Sequence, residues 1–245
     1  MKKKELLEVL KSPGSWAARH GPAHPLPQLP ISWKFFIIVT STLMIVSQVF
    51  INILPYPGSR LIVSAIIELL ILRGALYWRG LDFRAVGLSL RQAGPEVVIG
   101  LGISIAWVAI LSLNNTLAGS PPALEWLIYL VRDPSAQRLR DTLVWLLKLA
   151  ADALAVGVIE EAIYRGWIMT FLITSFRSHE RALWLSALVF ALPHYYLGVK
   201  GIVITAIFGY VYGLLYIWRK NLLVPIILHV FWNFSLWIGV LGRLG

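Results

Sequence analysis

Apolar residues in this chain come in long runs divided by short polar segments. The runs cover Trp33 to Leu54, Leu61 to Trp78, about Pro95 to Leu113, a stretch beginning near Thr142, Ala182 to Leu197, Gly201 to Trp218 and Leu222 to Val240. A helix needs about 20 consecutive apolar residues to cross a bilayer, so the pattern predicts about seven transmembrane spans in one membrane domain. A shorter run, Ala123 to Val131, has too few residues to span and carries Trp126 and Tyr129, which suits an interfacial or re-entrant helix. Pro55, Pro57 and Gly58 predict a tight turn after the first span. The expected fold class is an all-α, polytopic membrane helical bundle. Residues 1–32 form its tail and linker, and residues 33–245 form the membrane-embedded domain.

Within the tail, Lys2, Lys3, Lys4 and Lys11 are interleaved with Leu6, Leu7, Val9 and Leu10. A basic amphipathic helix on the membrane surface and a frayed basic tail both fit that pattern. Pro22, Pro25, Pro27 and Pro30 fix φ and remove donors, which predicts an extended linker. The first apolar run starts too late and is too long for the core of a secretory signal.

Composition agrees with a membrane protein. Of 245 residues 58% are apolar and 14% charged, with mean hydropathy +0.74, against roughly half apolar and a quarter charged in soluble domains. The net charge of +10 is spread over the short segments between apolar runs rather than over one soluble face. Anionic lipid headgroups are therefore the expected partners, and nucleic acid is not. A cytoplasmic N-terminus would bring Arg79, Arg84, Arg91, Arg177, Arg181, Arg219 and Lys220 to the cytoplasmic side, as the positive-inside rule favours, with Arg132, Arg138 and Arg140 running against it. The expectation is an integral protein of the cell inner or plasma membrane. With no cysteine, disulfides, thiol nucleophiles and thiolate metal sites are excluded.

A charged group inside a membrane helix costs several kcal/mol unless it is paired or faces a wet cavity. Lys148 lies one turn before Asp152, and a mutual pair accounts for both. Glu68 has no charged partner three or four residues away; Arg73 or another helix could supply one. His20, His24 and His179 fall in expected loops. Thr205, Gly209 and Gly213 recur every four residues, a small-residue face for a closely packed neighbour.

The segment Glu160-Glu161-Ala162-Ile163-Tyr164-Arg165 is different, since it sets two adjacent carboxylates beside one cation. Residues i and i+4 lie on nearly the same side of a helix, so Arg165 pairs with Glu161 and leaves Glu160 pointing elsewhere. An unpaired intramembrane carboxylate is a functional candidate; the alternative is a charged helix end among the headgroups. His194 follows Pro193, which interrupts the helix ladder and disfavours α geometry at Leu192, so an imidazole stands beside irregular backbone. His229 and Asn233 lie one turn apart on one face of the last span. Either an interhelical hydrogen bond or a polar cavity would explain them.

Together, Glu160-Glu161-x-x-x-Arg165, Phe190-x-x-x-His194 and His229-x-x-x-Asn233 resemble the three motifs of the CAAX-protease and bacteriocin-processing family of intramembrane proteases. The resemblance covers roughly Ala150 to Trp237, including Tyr164-Arg165-Gly166 and Asn221-Leu222-x-x-Pro225. In the first half it extends only to helical character and Val86-Gly87-Leu88 before a span. It implies peptide hydrolysis within the membrane on a membrane-associated or lipidated substrate, with Glu160 as the base that activates water and His194 assisting. It also implies His229 and Asn233 as oxyanion donors, with Glu161 and Arg165 shaping the site. Glu160, His194 and His229 are able to bind zinc, but no HExxH spacing is present, so a metal-independent reaction without cofactor is expected. Two other readings fit the same residues: a non-catalytic immunity or regulatory membrane protein of the same family, and an ion-coupled transporter. The transporter reading lacks a visible inverted repeat.

Overall fold

The computed structural model describes residues 3–23, 25–53, 57–91, 93–117, 131 and 135–238, and the regular structure among them is entirely helical. In chain order the helices are α1 (Lys3–Lys11), α2 (Pro13–His20), α3 (Trp33–Ile53), α4 (Pro57–Trp78), α5 (Ala93–Leu117) and α6 (Ala136–Glu161). A π-helical segment, Ala162–Met169, joins α6 to α7 (Thr170–Phe176). Then come α8 (His179–Ala191), α9 (Gly198–Arg219) and α10 (Leu223–Trp237). Most of the Ala123 to Val131 run, Arg132, His24 and the end of the last run at Val240 lie outside the described residues.

Five helical stretches are long and apolar enough to cross a membrane: Trp33–Phe50, Leu61–Trp78, Ala93–Asn114, Ala136–Phe176 and His179–Arg219. The last is two helices, α8 and α9, which fold back along each other at a 3-10 turn, Leu192–Leu197, and α10 adds a shorter apolar helix. The chain is an all-α, integral, polytopic membrane bundle.

Several boundaries differ from expectation. Pro57 and Gly58 belong to the first turn of α4, because proline fits there and its missing N–H costs nothing, while Pro55 of the expected turn lies outside the described residues. Helix α6 starts at Ala136, capped by the Ser135 side chain accepting from the Arg138 N–H, and the helical path continues through the π segment to Phe176. Glu160 and Glu161 therefore sit mid-path, not at a charged helix end. From residue 136 to 176 this path is roughly 60 Å long, far more than the ~30 Å hydrocarbon core. Arg138 and Arg140 stand in its first turns. Leu192 keeps α dihedrals, and the departure falls at His194, with φ −88° and ψ 15°. Pro193 occupies the first turn of the 3-10 segment, where a helix leaves its N–H unpaired in any case.

The tail is more ordered than a frayed end. Residues 3–11 are helical, and α2 packs on α8 and α9, where the Ser15 N–H donates to Glu180 and Lys220 donates to the Pro22 carbonyl. Residues 25–32 have no regular structure, as the prolines predict, yet Leu29 is fully buried. His20 is exposed and stacks on Trp16. His179 is the first residue of α8.

Aromatic packing seats α3 against the π segment and α7. Phe36 stacks on Phe171 with ring centres 3.9 Å apart, and the fully buried Trp167 donates its indole N–H to Thr40. The small-residue face of α9 meets α8: a Cβ at Gly209 would press tightly on the Ala187 backbone, and one at Gly213 would collide with Leu183. Gly87, at φ +83°, stacks under Tyr216 and accepts from the Leu222 N–H, while Asn221 donates to the Ser89 carbonyl. The Gly-Leu element before α5 is thus stitched to the loop before α10. At the same end, Arg219 makes a two-pronged ion pair with the buried Glu96 of α5.

Candidate active site

Three helical elements meet around Phe190. Arg165, from the π segment, is wholly buried; it donates to Glu161 Oε1 at 2.7 Å and to the Gly209 carbonyl of α9 at 3.1 Å. Its guanidinium lies over the Phe190 ring at 4.3 Å and near the Tyr212 ring at 5.3 Å. Planar cations are held well in such aromatic seats. Glu161 is also wholly buried. The i, i+4 pair expected from the sequence forms, and neighbouring helices complete its seat.

His229 of α10 connects this cluster to Glu160. Its Nδ1 donates to Glu161 Oε1 at 2.8 Å, and its Nε2 lies 3.7 Å from Glu160 Oε2. His194 donates through Nδ1 to the Phe190 carbonyl at 3.0 Å. A carbonyl oxygen can only accept, so the proton sits on Nδ1 and neutral His194 keeps its lone pair on Nε2. The four-residue spacing of Phe190 and His194 thus does two jobs: the ring seats Arg165 and the carbonyl orients His194.

Glu160 differs from its neighbour, with a side chain 28% exposed and facing open space. Two cavities meet at this residue. One, of about 290 Å³, opens toward α3 and α4 and is lined by Ser47, Gln48, Ser64, Glu68 and Tyr164. The other, of about 570 Å³, opens toward α9 and α10 and is lined by Thr205, Phe208, Tyr212, Trp232 and Asn233. Glu160 and His194 line both. All four residues singled out as catalytic candidates, Glu160, His194, His229 and Asn233, border the larger lobe. Among the described residues no three His, Asp or Glu side chains converge as a metal site.

Two expectations about charge are corrected. Lys148 is exposed and Asp152 buried, and no ion pair forms between them within 4 Å; Asp152 Oδ1 is buried with no hydrogen-bond partner among the described residues. The i, i+4 spacing places the two on adjacent positions of α6, but the lysine reaches outward while the aspartate turns into the bundle. Glu68 is not served by Arg73, which is exposed and lies over the Tyr77 ring. Its partner is Ser64 one turn earlier, whose hydroxyl donates to Oε1 at 2.5 Å. Sequence reading passed over Ser64 because a lone hydroxyl in an apolar run is ordinary. The Tyr212 and Phe190 seats for Arg165 also lie on other helices, where spacing gives no signal.

Residues 142–235 match the family model described as type II CAAX prenyl endopeptidase Rce1-like. That stretch contains all three polar motifs, and the match supports the resemblance and, in general terms, a CAAX-type intramembrane protease. No curated protein and no solved structure matches the chain.

Proposed function

We propose that this protein is an intramembrane endopeptidase that hydrolyses a peptide bond of a membrane-associated or lipidated substrate with water activated by Glu160. The observation that carries this reading is the position of Glu160 and His194 where two cavity lobes meet, while the adjacent Glu161 is consumed in an ion pair. A peptide spanning both lobes would set its scissile carbonyl beside the free carboxylate. Glu160 takes a proton from water as the oxygen attacks, a role suited to a carboxylate that lines both lobes. His194, held by Phe190, offers Nε2 to the same water.

Asn233 carries amide N–H donors in every protonation state, which suits it to the oxyanion of the tetrahedral intermediate. His229 has a narrower part. With Nδ1 donating to Glu161, its Nε2 bears a lone pair when neutral, so it donates to an oxyanion only as the imidazolium, flanked by the two glutamates. Glu161 and Arg165 hold His229 in place.

The reading includes a reaction without metal, since the motifs lack HExxH spacing. Stoichiometric zinc in active protein, with activity lost on chelation and restored by zinc, would overturn that part. It also includes a cytoplasmic orientation for the end of the bundle that gathers Arg79, Arg84, Arg91, Arg177 and Arg181, all exposed, with anionic headgroups as its lipid partners. The test of the whole reading is purified protein in liposomes incubated with a peptide library and followed by mass spectrometry. Cleavage by the native chain that disappears in Glu160→Gln is expected. Cleavage retained in a folded Glu160→Gln would overturn it.

A further inference from the structure

A second carboxyl group faces the same cavity. Glu68 of α4 is 3% exposed, its Oε1 accepts from Ser64, and it lines the smaller lobe together with Glu160. Arg165, the buried cation next along the chain, is occupied by Glu161 and the Gly209 carbonyl, and Arg73 points outward, so among the described residues Glu68 has no ion-pair partner. Two carboxyls facing one cavity without a cation between them favour holding one charge rather than two. Glu160, more exposed and 3.7 Å from His229, is the one suited to carry it. Glu68, almost fully buried, is suited to carry the proton.

We infer that Glu68 is a further catalytic residue, the general acid that protonates the leaving amine. The inference rests on the endopeptidase reading. In the first step the water oxygen bonds to the carbonyl carbon, one water proton passes to Glu160, and the carbonyl becomes an oxyanion. In the second step the carbonyl re-forms, the C–N bond breaks, and the nitrogen takes the proton of Glu68. Products are a carboxylic acid and an amine, with Glu160 protonated and Glu68 ionised. Passage of that proton from Glu160 to Glu68 across the shared cavity restores the starting state. The side of the cavity lined by Ser47, Gln48 and Ser64 is then the side that receives the amine fragment.

An amide needs its nitrogen protonated before it leaves, whereas a 4-nitrophenolate leaves unaided. The probes are a quenched fluorescent peptide and the 4-nitrophenyl ester of the same acyl segment, tested on the native chain, Glu68→Gln, Glu68→Asp and Glu160→Gln in detergent. Glu68→Gln should lower peptide turnover by about 100-fold or more while ester turnover changes little. Glu160→Gln should lower both, and Glu68→Asp should recover part of the peptide activity. If the native chain cleaves both probes and Glu68→Gln shifts both equally, or neither, Glu68 is not the acid and the endopeptidase reading survives. If the native chain cleaves neither probe, both ideas fall together. Should Glu68→Gln not fold, Ser64→Ala and Glu68→Asp carry the comparison: a selective fall in peptide over ester turnover supports the acid role, and an unchanged ratio in both overturns it.

Discussion

Consecutive residues of one helix separate two kinds of environment. On one side, Glu161, Arg165, Phe190, Tyr212 and His229 form a buried cluster tied by the Glu161–Arg165 ion pair, the His229–Glu161 hydrogen bond and ring contacts, with Glu161 Oε2, Arg165 Nε and the Tyr212 hydroxyl left without hydrogen-bond partners among the described residues. On the other, Glu160 opens onto space shared with His194, Glu68 and Asn233. The same side chain, moved by one position, passes from structural tie to reactive group. Identity of the residue matters less here than what the neighbouring helices have already neutralised.

The largest effect should come from the open side. Glu160→Gln should reduce peptide cleavage by on the order of 1000-fold, while thermal unfolding in detergent stays at the native temperature, because an amide of similar shape fits where the carboxylate faces space. A large loss of stability would mean that Glu160 belongs to the tie after all. On the closed side, Glu161→Gln leaves a buried guanidinium short of its counter-charge and should cost about 3–5 kcal/mol of stability. Thermal or denaturant unfolding measures it, and a shift no larger than that of Glu160→Gln would erase the contrast between the neighbours. Asn233→Ala should slow turnover by about 100- to 1000-fold with little change in substrate affinity; steady-state kinetics showing the reverse would make Asn233 a binding residue only. Smallest of all, Lys148→Ala should alter stability by no more than about 0.5 kcal/mol, since Lys148 is exposed and makes no ion pair with Asp152. A loss as large as that of Glu161→Gln would show that Asp152 is tied as Glu161 is.

Most of the span pattern was legible in the sequence, because a bilayer demands long apolar runs and little else satisfies it. The Glu161–Arg165 pair was legible for a similar reason: helix geometry alone brings i and i+4 together. The same rule failed for Lys148 and Asp152, since it fixes angular position but not which side chain turns inward. Glu68 was seen as anomalous with its partner left open between Arg73 and another helix, because a charged residue draws attention to other charges and away from a serine hydroxyl one turn back. His229 read as a donor. Only the position of Glu161 relative to Nδ1, set by packing between α6 and α10, reveals that the neutral ring presents a lone pair to the cavity.

The π-helical segment has a consequence for how the molecule is phased. Its i→i+5 closure, seen where the Thr170 N–H meets the Arg165 carbonyl, fits about one more residue into a turn than an α-helix holds. Upstream of it stand the glutamates that face the cavity and the cluster; Trp167 near its end and Phe171 beyond it face α3. The extra residue acts as an angular offset between a chemical face and a packing face carried on one rod. Were the same residues to close as a plain α-helix instead, one face would turn against the other by about 100°. The chain would still offer the same apolar runs to a membrane, yet it could not at once seat Trp167 beside Thr40 and hold Glu160 between the two lobes.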